Sequence, residues 1–231
     1  MEVELAVVIP TLDEEGTIGA CLDSVGKHDG VEMIVVDGGS GDRTRENARE
    51  AGARVERGAR GRGPQLNLGA SASNADRLLF LHADCRLPAD WLPALRQALD
   101  DERVSLASFR LRTLSASSEA PSAMYRLFLR VFDLRSYGLG LPYGDQGFGV
   151  RRVIFDAVGG FPDITLMEDV AFARACRRQG RIHRLPLEIR TTARRFERHP
   201  LRTGLMFVTF PTLYRFGVEP QTLARWYGAV R

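Results

Sequence analysis

The chain has 231 residues, 44% of them hydrophobic, and a formal net charge of +3. That length supports one large domain with its own core, and so small a net charge excludes a whole-molecule case for nucleic-acid binding. The charge is uneven: 13 Arg against 3 Glu from Val170 to Arg231 give +10, which leaves −7 for the first 169 residues.

A basic last quarter suits a diphosphate or an anionic membrane surface. Lys27 is the only lysine beside 31 arginines, so arginine usage is also a bias of the whole chain. Cys21, Cys85 and Cys176 are far apart and form no C-x-x-C. This argues against disulfides and structural zinc and for a reducing compartment. No run of about 18 apolar residues exists to span a membrane. Met1 to Pro10 reads as a strand and not as a leader. The expected location is cytoplasmic.

In chain order, Val3–Ile9 predicts a strand ending at Pro10. Thr11-Leu12-Asp13-Glu14-Glu15 opens a helical stretch through Val25, with acids suited to a helix start. Val31–Val36 is a second strand. Asp42 can cap a helix over Arg43–Ala51, which Gly52 stops. Ala53–Glu56 is a short third strand, followed by a Gly/Arg loop from Gly58 to Gly63. Pro64 to Ala72 is helical, Arg77–His82 is a fourth strand, and Pro88–Leu99 is a helix with Pro in its first turn. Four βα units in about 100 residues imply an α/β fold with a doubly wound, mostly parallel sheet.

The second half is less regular. Val104–Thr113 alternates as a strand does. Ala123–Leu134 is apolar and basic at helical spacing. Tyr137 to Gly149, with five Gly and a Pro, reads as a loop entering a short strand. Arg151–Val158 and Asp169–Gln179 are helices ended by glycines, and Ile182–Thr192 is extended. Leu205–Phe216 and Gln221–Val230 are apolar stretches on either side of Pro220. Residues 1–200 read as the main domain, with 201–231 a helical extension packed on it or on a partner.

Three apolar runs deliver acids to one sheet edge. Ile34-Val35-Val36 ends in Asp37, Leu79-Phe80-Leu81 leads to His82-Ala83-Asp84, and Met167 precedes Glu168-Asp169. Open α/β sheets bind ligands at the C-terminal edge of their strands. Asp37 precedes Gly38-Gly39-Ser40-Gly41, a turn that lets a ligand approach the backbone and a carboxylate accept from a base N–H or ribose hydroxyls. It also partly matches the D-x-G-x-G of S-adenosylmethionine-dependent methyltransferases. Asp84 suits Mg²⁺ or Mn²⁺, which take carboxylate oxygens and complete their shell with phosphate and water. His82, two residues earlier on the same face of an extended chain, is a second candidate ligand. Glu168 and Asp169 either complement a helix dipole or supply a general base. Arg60, Arg62 and Gln65 flank the glycine loop, where arginine suits bidentate phosphate contact.

The ordered set Val8-Ile9-Pro10-Thr11-Leu12-Asp13-Glu14-Glu15, Ile34 to Thr44, Gly63 to Ala70, Phe80 to Asp84 and Met167-Glu168-Asp169 resembles glycosyltransferase family 2, inverting enzymes of the GT-A fold. The resemblance covers residues 3–200. Arg194 to Arg198 resembles that domain's closing Arg/aromatic segment. The version here is similar to a bacterial subgroup known as radical-SAM/selenodomain-associated transferases. The resemblance implies that Pro10, Thr11, Glu14 and Asp37 hold the nucleoside of a UDP- or GDP-sugar and that Asp84 takes the diphosphate's metal. It further implies that Asp145 and Gln146 lie near a small-molecule or lipid-linked acceptor and that Asp169 is the base. The chain departs from the family at the first acid of its D-x-D, where His82 stands.

Two other readings stand beside this one. A methyltransferase would use the Asp37 turn, and a nucleotide-sugar sensor would keep the fold without turnover. Peripheral contact with the inner membrane face through Ala123–Leu134 and Leu205–Phe216 is a further expectation. The alternative for both stretches is packing on the domain itself or a homodimer interface.

Overall fold

Apolar runs of the first half build strands β1 (Leu5–Thr11), β2 (Val31–Asp37), β3 (Arg54–Arg57) and β4 (Arg77–Phe80), all mutually parallel. The computed structural model describes residues 3–115, 129–130, 133–134, 140–193 and 200–228, with backbone only at 200–204, 207 and 208. Beyond β4 come β5 (Cys85–Arg86), β6 (Val104–Leu114), β7 (Phe148–Arg151) and β8 (Arg181–Thr192). One sheet results, in the order β3-β2-β1-β4-β7-β6-β8-β5. Strands β7 and β5 run antiparallel to their neighbours, and β6 runs parallel to β8. Chain order steps outward from β1 to β3 and then returns to β4 on the other side of β1. This reversal leaves a crevice beyond the ends of β1 and β4, where such sheets take ligands.

Helices cover both faces. On one face α1 (Ile18–Val25), α2 (Thr44–Glu50) and α4 (Trp91–Asp100) join Leu5, Val7, Ile9, Val35 and Leu79 in a core centred on Trp91 and Leu95. On the other, α3 (Arg62–Ser71), α5 (Arg152–Ala157) and α6 (Glu168–Gln179) pack on Ala6, Val8, Ile34, Val36 and Phe80. An aromatic knot forms there. Phe161 stacks on Phe172 at 4.0 Å between centroids, and Phe80 meets Phe161 edge-on at 4.8 Å. Such pairs add roughly 0.5–1.5 kcal/mol each beyond their buried area. Because Phe172 lies on α6, the knot fixes the helix whose first turn carries Glu168 and Asp169.

Several elements differ from the sequence expectation. Pro10 lies inside β1, not at its end, because the pairing with β4 stops at Val8↔Phe80 and a residue without an N–H is tolerated beyond it. Helix α1 starts only at Ile18, because the acids of residues 13–15 bond to a neighbouring loop. Strand β5 was not anticipated; two residues carry no periodicity to read. Helices α7 (Pro200–Arg215) and α8 (Pro220–Gly228) each begin at a proline. Met206, Phe210 and Leu223 on them pack with Leu166 and Met167, the segment leading into α6. Of Ala123–Leu134 only four residues are described, and Leu129 is buried in the main core. The rest of that stretch and the Arg194–Arg198 segment lie outside the described residues. Among the described residues no helix is long and apolar enough to cross a membrane.

Candidate active site

The ends of β1 and β2 lie side by side, with Thr11 opposite Asp37. The two loops that follow are laced together. The backbone N–H groups of Asp13, Glu14 and Glu15 donate to Ser40 Oγ, Thr44 Oγ1 and Asp42 Oδ2 at 2.8–3.1 Å. In return, the N–H groups of Gly41 and Arg43 donate to the carboxylates of Asp13 (2.8 Å) and Glu15 (3.0 Å). Asp13 adopts φ = 55° to make this turn, a conformation that Asp tolerates better than most residues. The acidic run therefore anchors the rim of the crevice. Glu14 points elsewhere and accepts the Thr17 hydroxyl at 2.8 Å.

Asp37 is buried and heavily solvated by the protein itself. Its carboxylate accepts the N–H groups of Gly39 and Ser40, the Ser40 hydroxyl and Arg45 Nη1 at 3.0 Å. Burial alone would raise its pKa, but the bonds from Ser40 and Arg45 outweigh burial and hold it below the usual carboxylate range. Asp37 shapes the glycine turn, and a base N–H has to share oxygens already in use. Gln65 is likewise occupied: its Nε2 donates to Thr11 O (2.9 Å) and Val36 O (2.7 Å), clipping the ends of β1 and β2 together from α3. Thr11 is buried and its hydroxyl donates to Val36 O at 3.4 Å. Arg45 was missed by the sequence reading; its place in the first turn of α2 was the available signal.

The second group forms where α3 meets α6. Arg62 Nη1 pairs with Glu168 Oε1 at 2.8 Å, and the Glu168 side chain is only 2% exposed. Burial lowers the Arg62 pKa, and the adjacent charges of Glu168 and Asp169 raise it again by more, so the guanidinium stays charged. Asp169 accepts the N–H groups of Gly144 (2.8 Å) and Val170 (2.7 Å). Burial, and then the charge of Glu168, push its carboxyl up to about 6. Gly144 separates Asp169 from His82. A Cβ on this glycine would lie 2.7 Å from His82 Nε2 and 3.3 Å from Asp169 Cβ. Arg62, His82, Gly144, Glu168 and Asp169 share the wall of a void of about 10 Å³, room for one water molecule. Arg60 is exposed on the preceding loop.

Asp84 lies on the other side of the same turn. The N–H of Cys85 bonds to His82 O at 3.0 Å, so residues 82–85 fold into a β-turn. This corrects the expectation of an extended chain with His82 and Asp84 on one face. His82 faces Gly144 and Asp169, whereas Asp84 borders an open cleft of about 760 Å³ with Thr17, Arg86 and Thr191. Asp145 comes close from the short helical turn at Gly144–Gln146. Its carbonyl accepts from the Cys85 thiol at 3.4 Å. Burial, then the charges of Asp84 and Asp145, push that thiol well above its ordinary pKa. Gln146 is buried and bonded to Tyr143 N and Phe109 O, which makes it part of the frame.

Among the described residues no three His, Cys, Asp or Glu side chains gather as a ready-made metal site. One or two carboxylates at the mouth of a cleft is still the donor set that Mg²⁺ or Mn²⁺ uses when substrate phosphates and water complete its shell. Asp84 fits that role, with Asp145 beside the same thiol.

The protein-family model described as Glycosyl transferase family 2 matches residues 6–159. The chain belongs to this family. It is 39% identical to glucosyl-3-phosphoglycerate synthase from Mycolicibacterium paratuberculosis over 92 residues, 35% of this chain and 28% of that one. It is 36% identical to dolichyl-phosphate hexose transferase from Haloferax volcanii over 102 residues, 42% of this chain and 44% of that one. The matches thus span less than half the length of both relatives. In three dimensions it resembles a mannosyltransferase from Pyrobaculum calidifontis in complex with GDP-Man and Mn²⁺. The TM-score is 0.65 at 19% identity, covering 96% of this chain and 67% of that one. The fold is the GT-A fold, and the Asp37 turn is its second βα turn, which leaves the methyltransferase reading without a motif of its own.

Proposed function

We propose that this chain is an inverting glycosyltransferase that moves a sugar from a nucleoside-diphosphate sugar to an acceptor hydroxyl. The observation that carries this reading is Asp169, a carboxyl raised to about 6 and held at the sheet's ligand edge beside a buried Arg62–Glu168 pair. A base works best with a pKa near the working pH. The similar mannosyltransferase in complex with GDP-Man and Mn²⁺ supports the donor class and the metal.

In this mechanism the laced loops after β1 and β2 hold the nucleoside, with Pro10, Thr11, Glu14 and Asp37 as their floor. Asp84 would hold Mg²⁺ or Mn²⁺, which would supply neutralisation of the charge on the leaving group. Arg62, aided by Arg60, adds positive charge on the same side. Asp169 takes the proton of the acceptor hydroxyl as its oxygen bonds to the anomeric carbon. The carbon–oxygen bond to the diphosphate breaks and its electron pair leaves with the nucleoside diphosphate. Attack from the face opposite the leaving group inverts the anomeric centre.

Asp169→Asn tests the assignment. Donor binding by thermal shift should persist while product formation falls by roughly 10²–10⁴-fold. Wild-type turnover in this variant refutes the base assignment, and no product from the unaltered chain with any nucleotide sugar favours a silent binding protein. The acceptor is a small molecule or a lipid-linked one. Exposed Leu205, Phe216 and Trp226 are where membrane or self-association is sought, by vesicle flotation and sedimentation.

A further inference from the structure

Beyond the donor crevice, the far end of the sheet carries arginines that are in no ion pair among the described residues. In the registers of β5, β8 and β6, Arg86 stands opposite Arg190, and Arg190 stands opposite Arg112. Directly opposed residues put their side chains on one face about 5 Å apart, and like charges so placed are destabilising. Two residues along, Arg110 faces Glu188. Arg110, Arg112, Arg130 and Glu188 line a hollow of about 300 Å³. Arg86, Arg190 and Glu188 line the 760 Å³ cleft that Asp84 also borders. Glu188 lies on both walls, so the two hollows adjoin at this residue, and together they make a trough whose larger part borders Asp84.

Some of the chain's other arginines find acids: Arg62 takes Glu168, Arg77 takes Glu4 and Asp100, and Arg103 and Arg181 share Asp101. Among the described residues none of the five trough arginines is in an ion pair. Asp133, also on the wall, is committed to the N–H and hydroxyl of Thr113. A compositional surplus of arginine does not explain why three stand in register, where each weakens the sheet. An anion seated among them removes that cost. Guanidinium groups match phosphate oxygens in bidentate geometry.

We propose that this trough is an acceptor subsite and that the acceptor carries a phosphate ester, gripped by Arg86, Arg112 and Arg190, with its hydroxyl at the Asp84 end. The proposal rests on the glycosyltransferase reading and names its acceptor class. The row extends about 10 Å across three strands, at about 4.8 Å per strand. That is further than a diphosphate already held at Asp84 needs, so the anion is distinct from the donor's own.

The test is isothermal titration of inorganic phosphate into the full chain, alone and after saturation with UDP and Mg²⁺. Saturable binding is expected in both, weakened at least tenfold in Arg112→Gln/Arg190→Gln. Because these side chains are solvent-accessible and repel one another, the double variant should melt no lower than the unaltered chain. Vesicles of phosphatidic acid, against phosphatidylcholine alone, distinguish a lipid-borne phosphate from a soluble one. Retention on the former marks a lipid acceptor, and phosphate saturation without retention marks a soluble one. The proposal is overturned by the absence of both kinds of binding, by binding indifferent to the double substitution, or by competition between phosphate and UDP. Should UDP fail to bind at all, the donor reading fails, and the phosphate titration with its variant still reports on the trough.

Discussion

Asp169→Asn should cost activity and add pH-dependent stability, and the size follows from the carboxyl's surroundings. Folding moves the Asp169 pKa from 3.8 to about 6, through burial first and the charge of Glu168 second. Two units correspond to about 3 kcal/mol, an upper figure because the side chain keeps some solvent contact. The folded pKa is the higher one, so below pH 3.8 both states are protonated and the group costs nothing. Between pH 3.8 and 6 the unfolded chain gives up its proton while the folded one keeps it, and stability falls. Above pH 6 the full penalty applies. Asparagine does not titrate. Its loss of an acceptor facing Gly144 or Val170 is the same at every pH and cancels when two pH values are compared. Urea unfolding of both proteins at pH 4 and pH 8 should show the variant gaining about 2 kcal/mol on the wild type across that interval. A difference that stays constant with pH, or shrinks as pH rises, refutes the claim that a strained carboxyl sits there.

Three further outcomes follow from the same geometry. The acid limb of kcat/KM should fall near pH 6, and Glu168→Gln, which removes the like charge and frees Arg62 to act on Asp169, should move it to lower pH; an unmoved limb contradicts the coupling. Asp84→Ala should abolish the Mn²⁺-dependent part of donor binding while His82→Ala largely keeps it, read by titration with and without metal, because the turn at 82–85 points the two side chains apart. Gly69→Ala should lower stability by about 1–3 kcal/mol in thermal melts, since a Cβ there falls inside Val8 Cγ1 and presses on Val36 at 3.0 Å.

What the sequence made legible followed from repetition. The alternation of apolar strand and amphipathic helix from Leu5 to Leu99 names a parallel sheet, and the acids at Asp37 and Asp84 mark its ligand edge, because strand direction alone fixes which end they occupy. Side-chain commitments were not legible. Gln65, Gln146 and Asp37 look like ligand contacts in a one-dimensional reading, yet each hydrogen-bonds to neighbours that only folding supplies. The reach of His82 was misjudged for a related reason. Alternation places residues 82 and 84 together only while the chain stays extended, and a single i to i+3 bond, Cys85 N–H to His82 O, cancels that rule. Strand β5, the lacing of residues 13–15 to 40–44 and the role of Gly144 depend on contacts between distant segments and left no local pattern.

Helix α3 ties together two clusters that lie far apart in sequence. From its second turn Gln65 holds Thr11 and Val36, and with them the rim built on β1 and β2. From its first turn Arg62 holds Glu168, whose charge adds to burial in raising the proton affinity of Asp169. Gly69 lets the same helix sit down on Val8 and Val36 closely enough for both reaches to be made. Any displacement of α3 therefore disturbs the rim built on β1 and β2 and the surroundings of Asp169, the proposed base, together. The Gly58–Gly63 loop that leads into it carries Arg60 and begins at the N–H of Gly58, bonded to Asp37 O at 2.9 Å. On the proposed mechanism, a donor that pulls on this loop pulls on the helix that holds Glu168 beside the proposed base, which would join binding to proton transfer through ten residues, Arg62 to Ser71.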